Sequence, residues 1–195
     1  MAGVLTREQI LEAAEETLRR FGPAKTTVVD VARTLGVSHG TVYRHFPSKA
    51  ALRDAVAEEW LARVSAPLEA IVASGGPALG RLHDWVATLS ATKRGLAAED
   101  PELFETYVTL AVQSREVVDR HVDELVAQLT AIVAAGVDAG ELAAADPAAT
   151  ARAIFDATSR FHNPVHAGEW ADAGLADAFE AVWSLLIDGL RPRRG

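Results

Sequence analysis

The sequence predicts an all-α protein of about nine helices, and three of its features support that prediction. Hydrophobic residues make up 49% of the chain and aromatic residues only 6%; this balance, dominated by alanine, leucine and valine, favours helices over sheets. Apolar residues recur at helical spacing almost from end to end. Capping residues and Gly or Pro breaks separate these periodic segments, and the sequence contains no alternating strand pattern and no repeat.

Four helices are predicted before residue 75. A capping box of Thr6 and Gln9 should open the first helix, and Gly22 with Pro23 should end it. Capping residues and glycines then place the next three helices at about 27–36, 38–45 and 47–74.

Five more helices are predicted after a break at the sequence "SGGP", residues 74–77. Two of them begin with an Asp-Pro pair, at Asp100 and at Asp146, which supplies an N-cap and a first-turn proline. Gly136 should end the helix that lies between them. The five helices are expected at about 78–93, from 101 past 110, 115–135, 147–161 and 175–190.

The charge distribution separates a basic N-terminal segment from an acidic remainder. The whole chain carries a net charge of −8, yet the segment from Leu18 to Arg53 contains seven Lys and Arg residues and a single acid, Asp30. A local basic patch, rather than the total charge, is the electrostatic footprint of a DNA-binding element. We therefore predict a DNA-binding domain at 1–50 and a second domain at 51–195.

The sequence also indicates the cellular compartment in which the protein is expected. The chain contains no cysteine, which excludes disulfides and thiolate chemistry. No run reaches the ~20 apolar residues that a membrane-spanning helix needs. The N-terminus lacks the basic start and apolar run of a signal peptide. We therefore expect a cytoplasmic protein with no membrane partner.

The segment "VARTLGVSHGTVYRHFPSKAAL", residues 31–52, predicts a helix-turn-helix. Two short helices are joined by a tight turn at Gly36, where glycine tolerates the left-handed backbone conformation. Apolar residues are placed to bury the inner faces, and polar residues from Ser38 to His45 are left on the outside. Lys49, at the start of the following helix, adds a positive charge suited to a DNA backbone. The residues expected to be inside are Val31, Ala32, Leu35, Val37 and Val42.

The order of residues in this segment closely resembles the tetracycline-repressor (TetR) family of bacterial transcriptional regulators. The resemblance covers about the first 60 residues, and length and helix count agree with the family over the whole chain. It implies a dimeric repressor that binds a palindromic DNA operator and is released by a small-molecule effector. The matching residues are Thr27, Val31, Ala32, Gly36, Val37, Ser38, Gly40, Thr41, Val42, Tyr43, His45, Phe46 and Lys49.

The resemblance also implies roles for individual residues. Tyr43 and Lys49 would grip phosphates, with Thr27 helping at the start of the second helix. His39, Thr41 and Arg44 would face base edges or neighbouring phosphates, and Arg44 could read guanine by a bidentate contact. The DNA-binding residues predicted in this way are Thr27, Ser38, His39, Gly40, Thr41, Tyr43, Arg44, His45 and Lys49.

In TetR-like proteins the last two helices form a dimer and the middle helices surround a ligand pocket. The apolar stripes "AATARAIFDAT" and "AFEAVWSLL" suit either that pairing or an ordinary core. A homodimer is expected because two recognition helices must reach two half-sites. The effector should be small and partly apolar, either aromatic or anionic, because pockets combine apolar walls with a few polar groups. The predicted ligand-binding residues are Trp60, Trp85, Phe104, Tyr107, His121, Phe161 and His162.

The histidines leave three alternatives open. His121 lies within the apolar stripe of its helix, and His162 lies at a helix end. Each can be a hydrogen-bonded core residue, a ligand contact or a metal ligand, and a divalent metal would suit His83, His121 and His162 with a nearby carboxylate. The effector prediction therefore keeps two alternatives, a metal-responsive regulator and a ligand-independent DNA binder.

An enzyme is not predicted. The sequence "SATK", from Ser90 to Lys93, matches a Ser-x-x-Lys pattern, but it lies at a predicted helix end and has no partner motif. We interpret it as a chance match. The sequence contains neither a glycine-rich phosphate loop after a strand nor an HExxH motif.

Overall fold

The computed structural model describes residues 5–192, and within that range it contains ten α-helices, one 3-10 segment and no strand, which confirms the all-α fold. The same range contains no helix that is long and apolar enough to cross a bilayer. The 3-10 segment, Pro164–Glu169, lies between the last two helices. The helices are α1 (Arg7–Lys25), α2 (Val28–Thr34), α3 (His39–Tyr43), α4 (Lys49–Ala73), α5 (Ala78–Glu99), α6 (Pro101–Gln113), α7 (Arg115–Asp138), α8 (Pro147–Ala157), α9 (Ser159–His162) and α10 (Leu175–Leu190).

The first three helices begin and end where local chemistry places them. The capping box of Thr6 and Gln9 is formed at the start of α1. Gly22, with a φ of 73°, interrupts α1 ahead of Pro23, so the predicted stop is a break after which the helix resumes for one short turn. Gly36, with a φ of 66°, makes the turn between α2 and α3, as predicted for the helix-turn-helix.

Three helices differ from the sequence prediction. Helix α5 continues to Glu99 instead of ending at Lys93, and the predicted helix 147–161 is divided at Thr158 into α8 and α9. Helix α7 runs past Gly136, where it was predicted to end, as far as Asp138, and Gly140, with a positive φ of 72°, follows its end. Gly136 is instead a packing position, because a Cβ there would lie 2.5 Å from the Cβ of Ala78.

The described helices form two compact units. Unit 1 comprises residues 5–62 and 100–119, which include α1 to α3, the first half of α4, and α6. Unit 2 comprises residues 63–99 and 120–192, which include α5, most of α7, and α8 to α10. This division follows packing, whereas the functional division at residue 50 stays a prediction.

Each unit has its own apolar interior. In unit 1, Ile10, Val31 and Val42 are fully buried, so α1, α2 and α3 pack on one another through aliphatic side chains. Of the five residues expected inside the helix-turn-helix, Val31, Ala32 and Val42 are buried and Leu35 and Val37 are half-buried. In unit 2 the apolar face of α5 is buried with that of α7.

Candidate functional site

Helix α3 has one buried side and one exposed side. Val42 is fully buried, and its contact with the interior fixes the rotation of the helix. The residues at 38–40, 43 and 44 are exposed, and those at 41 and 45 are half-buried. The structure therefore places the predicted DNA-binding residues of this helix together on one exposed polar surface.

Two short caps hold this surface in place. Ser38 Oγ accepts a hydrogen bond from the backbone N–H of Thr41 at 3.3 Å and lies 2.9 Å from Thr41 Oγ1. At the start of α2, Thr27 Oγ1 donates to Asp30 Oδ2 at 2.5 Å and accepts from the backbone N–H of Asp30 at 3.3 Å. The hydrogen bond from Thr27 also holds the pKa of Asp30 below its ordinary value. The Thr27 hydroxyl is thus already bonded inside α2, so its predicted phosphate contact stays a prediction.

The cationic groups on this surface have no partners within the described residues. Arg44 and Lys49 are exposed and form no ion pair or hydrogen bond with residues 5–192. Arg33 and Arg53, by contrast, are paired with neighbouring carboxylates at 3.2 and 2.9 Å. Tyr43 is 41% exposed, and its ring meets the edge of the His39 ring at 6.3 Å. Unpaired cations and a phenol hydroxyl of this kind are groups that can form ion pairs and hydrogen bonds with DNA phosphates.

Three of the predicted ligand-binding residues form an aromatic cluster in unit 1. The rings of Trp60 and Tyr107 are stacked, with centroids 4.8 Å apart and planes 5° from parallel. Phe104 meets Trp60 at 6.2 Å in an edge-on contact. All three side chains are buried, so α6 is packed on α4 through a large apolar contact.

Polar contacts fix α6 at both ends. At its start, Asp100 lies 3.4 Å from Nε of Arg19 on α1. After its end, the hydroxyl of Ser114 donates to Asp54 Oδ1 at 2.7 Å and accepts from Arg53 Nε at 3.1 Å. Because Arg53 and Asp54 belong to α4, α6 is connected to both long helices that flank the helix-turn-helix in the sequence.

The other four predicted ligand-binding residues belong to unit 2. Trp85 is buried and its indole N–H donates to Gln128 Oε1 at 2.8 Å. The carbonyl of Phe161 accepts a hydrogen bond from Ser90 Oγ at 2.7 Å. The hydroxyl of the Ser-x-x-Lys pattern is therefore bonded to the backbone. Phe161 also lines a cavity of about 200 Å³ that includes His83.

A buried polar cluster lies between α5, α7 and α9, and we define it as Lys93, His121 and His162. Their exposed fractions are 7%, 6% and 2%. His162 Nε2 lies 3.2 Å from the carbonyl of Phe155 and 3.3 Å from the hydroxyl of Thr158, so it can donate its proton to either oxygen. His121 Nε2 is buried and has no hydrogen-bond partner among the described residues.

Burial lowers the pKa of all three members of the cluster. Desolvation lowers the pKa of Lys93 to about 8, which leaves the amine mostly protonated at neutral pH. Desolvation, with a smaller contribution from the Lys93 charge, lowers the pKa of His121 to about 4 and that of His162 to about 3. Both imidazoles are therefore neutral at pH 7. The cluster combines one cation with two neutral rings.

The three histidines proposed for a metal do not form a common site in the described part of the chain. That part contains no group of three or more His, Cys, Asp or Glu residues that could hold a metal ion. His83 is hydrogen-bonded to Glu180 Oε1 at 3.2 Å and packs against the Trp183 ring at 5.4 Å. Metal binding thus stays a prediction with no ligand set assigned.

Sequence reasoning missed Lys93. The sequence predicts that the helix ends at Lys93, and a lysine at a helix end is normally solvated. The signal that could have identified it is its register, because Lys93 continues the buried positions Leu82, Val86 and Leu89 of α5. A lysine inside an apolar stripe is unusual enough to require a reason.

Comparison with known proteins gives a consistent result over both parts of the chain. Residues 10–56 match the family described as "Bacterial regulatory proteins, tetR family", and residues 78–183 match the "Tetracyclin repressor-like, C-terminal domain". The chain is 47% identical over 51 residues to the HTH-type transcriptional regulator TtgR of Pseudomonas putida. This match covers 26% of the chain and 24% of the relative. The chain thus matches only about a quarter of that relative's length.

Two further relatives extend the likeness beyond the N-terminal segment. The HTH-type transcriptional regulator RutR of Escherichia coli is 26% identical over 194 residues, covering 96% of this chain and 91% of RutR. The structure of SmeT, the repressor of the Stenotrophomonas maltophilia multidrug efflux pump SmeDEF, superposes with a TM-score of 0.69 at 21% identity, over 96% of this chain and 91% of SmeT. At that identity the likeness to SmeT shows a shared fold.

Proposed function

The chain belongs to the TetR family of bacterial regulatory proteins, and we propose that it is a homodimeric repressor that binds a palindromic operator and is released by a small-molecule effector. The observation that carries the proposal is the polar face of α3, where Tyr43, Arg44 and Lys49 are exposed and the two cations have no partner within the described residues. The existence of a SmeT–triclosan complex supports the effector part by analogy.

The DNA-binding part assigns α3 to the major groove. Val42 fixes the inner side of α3, so His39, Thr41 and Arg44 can approach base edges. Tyr43 and Lys49 contact phosphates beside the groove. The neutral Gly40 adds no side chain between the helix backbone and the DNA.

A binding experiment tests this assignment. A duplex that the wild-type protein selects from a random DNA library serves as the probe. Fluorescence anisotropy then measures the affinity of the protein for this duplex over a range of salt concentrations. Lys49→Ala should weaken binding to all duplexes and reduce the salt slope by about one. Arg115→Ala, which removes an exposed charge far along the chain, is the matched control and should bind like the wild type. Undiminished binding by a variant carrying both Lys49→Ala and Tyr43→Ala would exclude the assignment.

The dimer part assigns the contact between protomers to α8 and α10. Ile154 and Trp183, which lie in the two apolar stripes, are buried within the protomer, so they serve the core. Leu185 of α10 is 77% exposed and is a better candidate for a contact with a second copy. Leu185→Glu should give a folded monomer by light scattering, whereas Val165→Glu, at a residue 79% exposed outside both helices, should leave the dimer intact. A wild type that is monomeric at micromolar concentration would exclude this part.

The release mechanism uses α6. Within unit 1, α6 is attached to α1 through Asp100 and to α4 through Trp60 and Ser114. A shift of α6 would therefore be transmitted to the helices that hold α2 and α3. An effector releases the repressor if it binds most tightly to the conformation whose two recognition helices are wrongly spaced for the operator. Binding then increases the fraction of the protein in that conformation, which cannot bind the operator. A protein that binds its operator but responds to no compound would be the ligand-independent alternative.

A further inference from the structure

Lys93 is a buried charge without a counter-ion. Its side chain is 7% exposed, and no carboxylate or hydrogen-bond acceptor in residues 5–192 lies within bonding distance of its ammonium group. Isolated buried charges are strongly unfavourable, and proteins pair them or neutralise them. With a pKa of about 8 the amine is still mostly charged at neutral pH, so it has not been neutralised. The described residues therefore contain an unpaired cation in the interior of unit 2.

His121 adds an unused polar atom beside this cation. Its Nε2 is buried and has no partner among the described residues. The Lys93 charge contributes to lowering the pKa of His121, which places the two groups within electrostatic range of each other. Natural interiors rarely leave buried polar groups unsatisfied, so the free Nε2 of His121 near the unpaired Lys93 charge calls for an explanation.

We propose that Lys93 and His121 form a subsite for the anionic group of the effector, which is an organic acid presenting a carboxylate. The proposal rests on the proposed function and names its ligand class. A carboxylate would pair with the Lys93 ammonium and accept a hydrogen bond from Nε2–H of His121, which satisfies both orphan groups at once. The ligand supplies the counter-ion that the chain lacks.

The donors present favour a singly charged anion. The ammonium and one imidazole N–H match the two oxygens of a carboxylate. His162 adds no ligand donor through Nε2, because that atom is already within bonding distance of Phe155 O and Thr158 Oγ1. A doubly charged phosphate would meet only one cation, and its second charge would be desolvated without compensation.

The two residues of the subsite lie on different helices. Lys93 is on α5 and His121 is on α7, and these are the two helices joined directly to the ends of α6. A carboxylate held by both residues would fix the distance between α5 and α7. In the sequence, residues 100 and 114 join these two helices to α6.

The experiment uses small acids and their uncharged amides on the full chain without DNA. Thermal shift and calorimetric titration would compare formate, acetate and benzoate with formamide, acetamide and benzamide at constant ionic strength. We expect at least one carboxylate to bind the wild type with saturation and its amide not to bind. Lys93→Met should weaken that binding about ten- to a hundredfold and His121→Phe about fivefold, because a charged contact contributes more than a neutral one.

Arg94→Met is the matched control. It removes the same charge from the next residue of α5, which lines the cavity of about 200 Å³ with Phe161 and a second cavity of about 480 Å³. It should keep the wild-type response. The proposal is overturned if none of the three carboxylates binds with saturation, or if Lys93→Met binds as tightly as the wild type.

A DNA-binding measurement on the same variants distinguishes failure of the proposed subsite from failure of the proposed function. Lys93→Met should bind the selected duplex as the wild type does and should melt at the same or a higher temperature, which shows that it is folded. If the wild type binds no duplex, the proposed function is refuted. If the same preparation still binds a carboxylate with saturation, the proposed subsite is nevertheless supported.

Discussion

Replacement of Lys93 by methionine should raise the free energy of unfolding of the ligand-free protein. Methionine has a similar length and shape but carries no charge, so it can fill the same space without the desolvation cost. Replacing buried ionic groups with apolar residues of similar volume is often neutral or stabilising. A lysine required for structure would give the opposite result.

The expected gain follows from the pKa of the buried amine. A decrease from 10.5 in the unfolded chain to about 8 in the folded one corresponds to about 3 kcal/mol of destabilisation. Because the folded pKa is the lower one, the unfolded state binds more protons between pH 8 and 10.5, and wild-type stability rises with pH in that window. The penalty is complete below pH 8. It falls to about 1 kcal/mol at pH 9.5.

Urea unfolding followed by circular dichroism, at one protein concentration and at pH 7 and 9.5, measures both numbers. Lys93→Met should exceed the wild type by about 3 kcal/mol at pH 7 and by about 1 kcal/mol at pH 9.5. Arg94→Met should show no such change with pH. The reasoning is refuted if Lys93→Met is less stable at pH 7, or if its advantage is the same at both pH values.

Three further predictions concern packing, a hydrogen bond and acid stability. Gly136→Ala should lower the free energy of unfolding, measured in urea, by about 1–3 kcal/mol, because the new Cβ would lie within 3 Å of neighbouring side chains. Gly95→Ala is the control: it has open space inside a helix and should raise the free energy of unfolding by about 0.5–1 kcal/mol. Equal effects of the two substitutions would contradict the close packing at Gly136. Ser114→Ala should lower the melting temperature and cost about 1–3 kcal/mol, because the buried hydroxyl no longer donates to Asp54, and an unchanged melt would show the bond to be dispensable. The pKa of His162 is lowered to about 3, so the unfolded state binds more protons below pH 6.5 and stability is lost on acidification, by about 2 kcal/mol at pH 5 from this residue. His162→Phe should remove that part of the difference between pH 7 and pH 5.

Local signals predicted correctly where the first three helices begin. The capping boxes at Thr6 and Thr27 and the cap at Ser38 are all formed, because each joins residues only three positions apart. The turn at Gly36 also follows from a local property, the freedom of glycine to adopt a positive φ. Helix α10 occupies the predicted residues 175–190 without a side-chain cap, since its apolar periodicity was sufficient.

Two boundary errors have a tertiary origin. Gly136 looked like a helix end because glycine is common there, yet it lies inside α7 where Ala78 approaches too closely for any side chain. Helix α5 looked finished at Lys93 because lysine usually marks solvent. Neither feature can be recognised without knowing which other helix packs against the residue.

The predicted site shows the same division. The sequence by itself determined the all-α class, the helix-turn-helix and the polar residues of α3, because caps, glycine turns and periodicity act over a few residues. Tertiary structure alone decided which aromatic and polar residues lie together, with Trp60, Phe104 and Tyr107 in one unit and His121 and His162 in the other. It also decided that Lys93 is buried without a counter-ion, since desolvation depends on every helix that surrounds a side chain and on the charges that those helices do not provide.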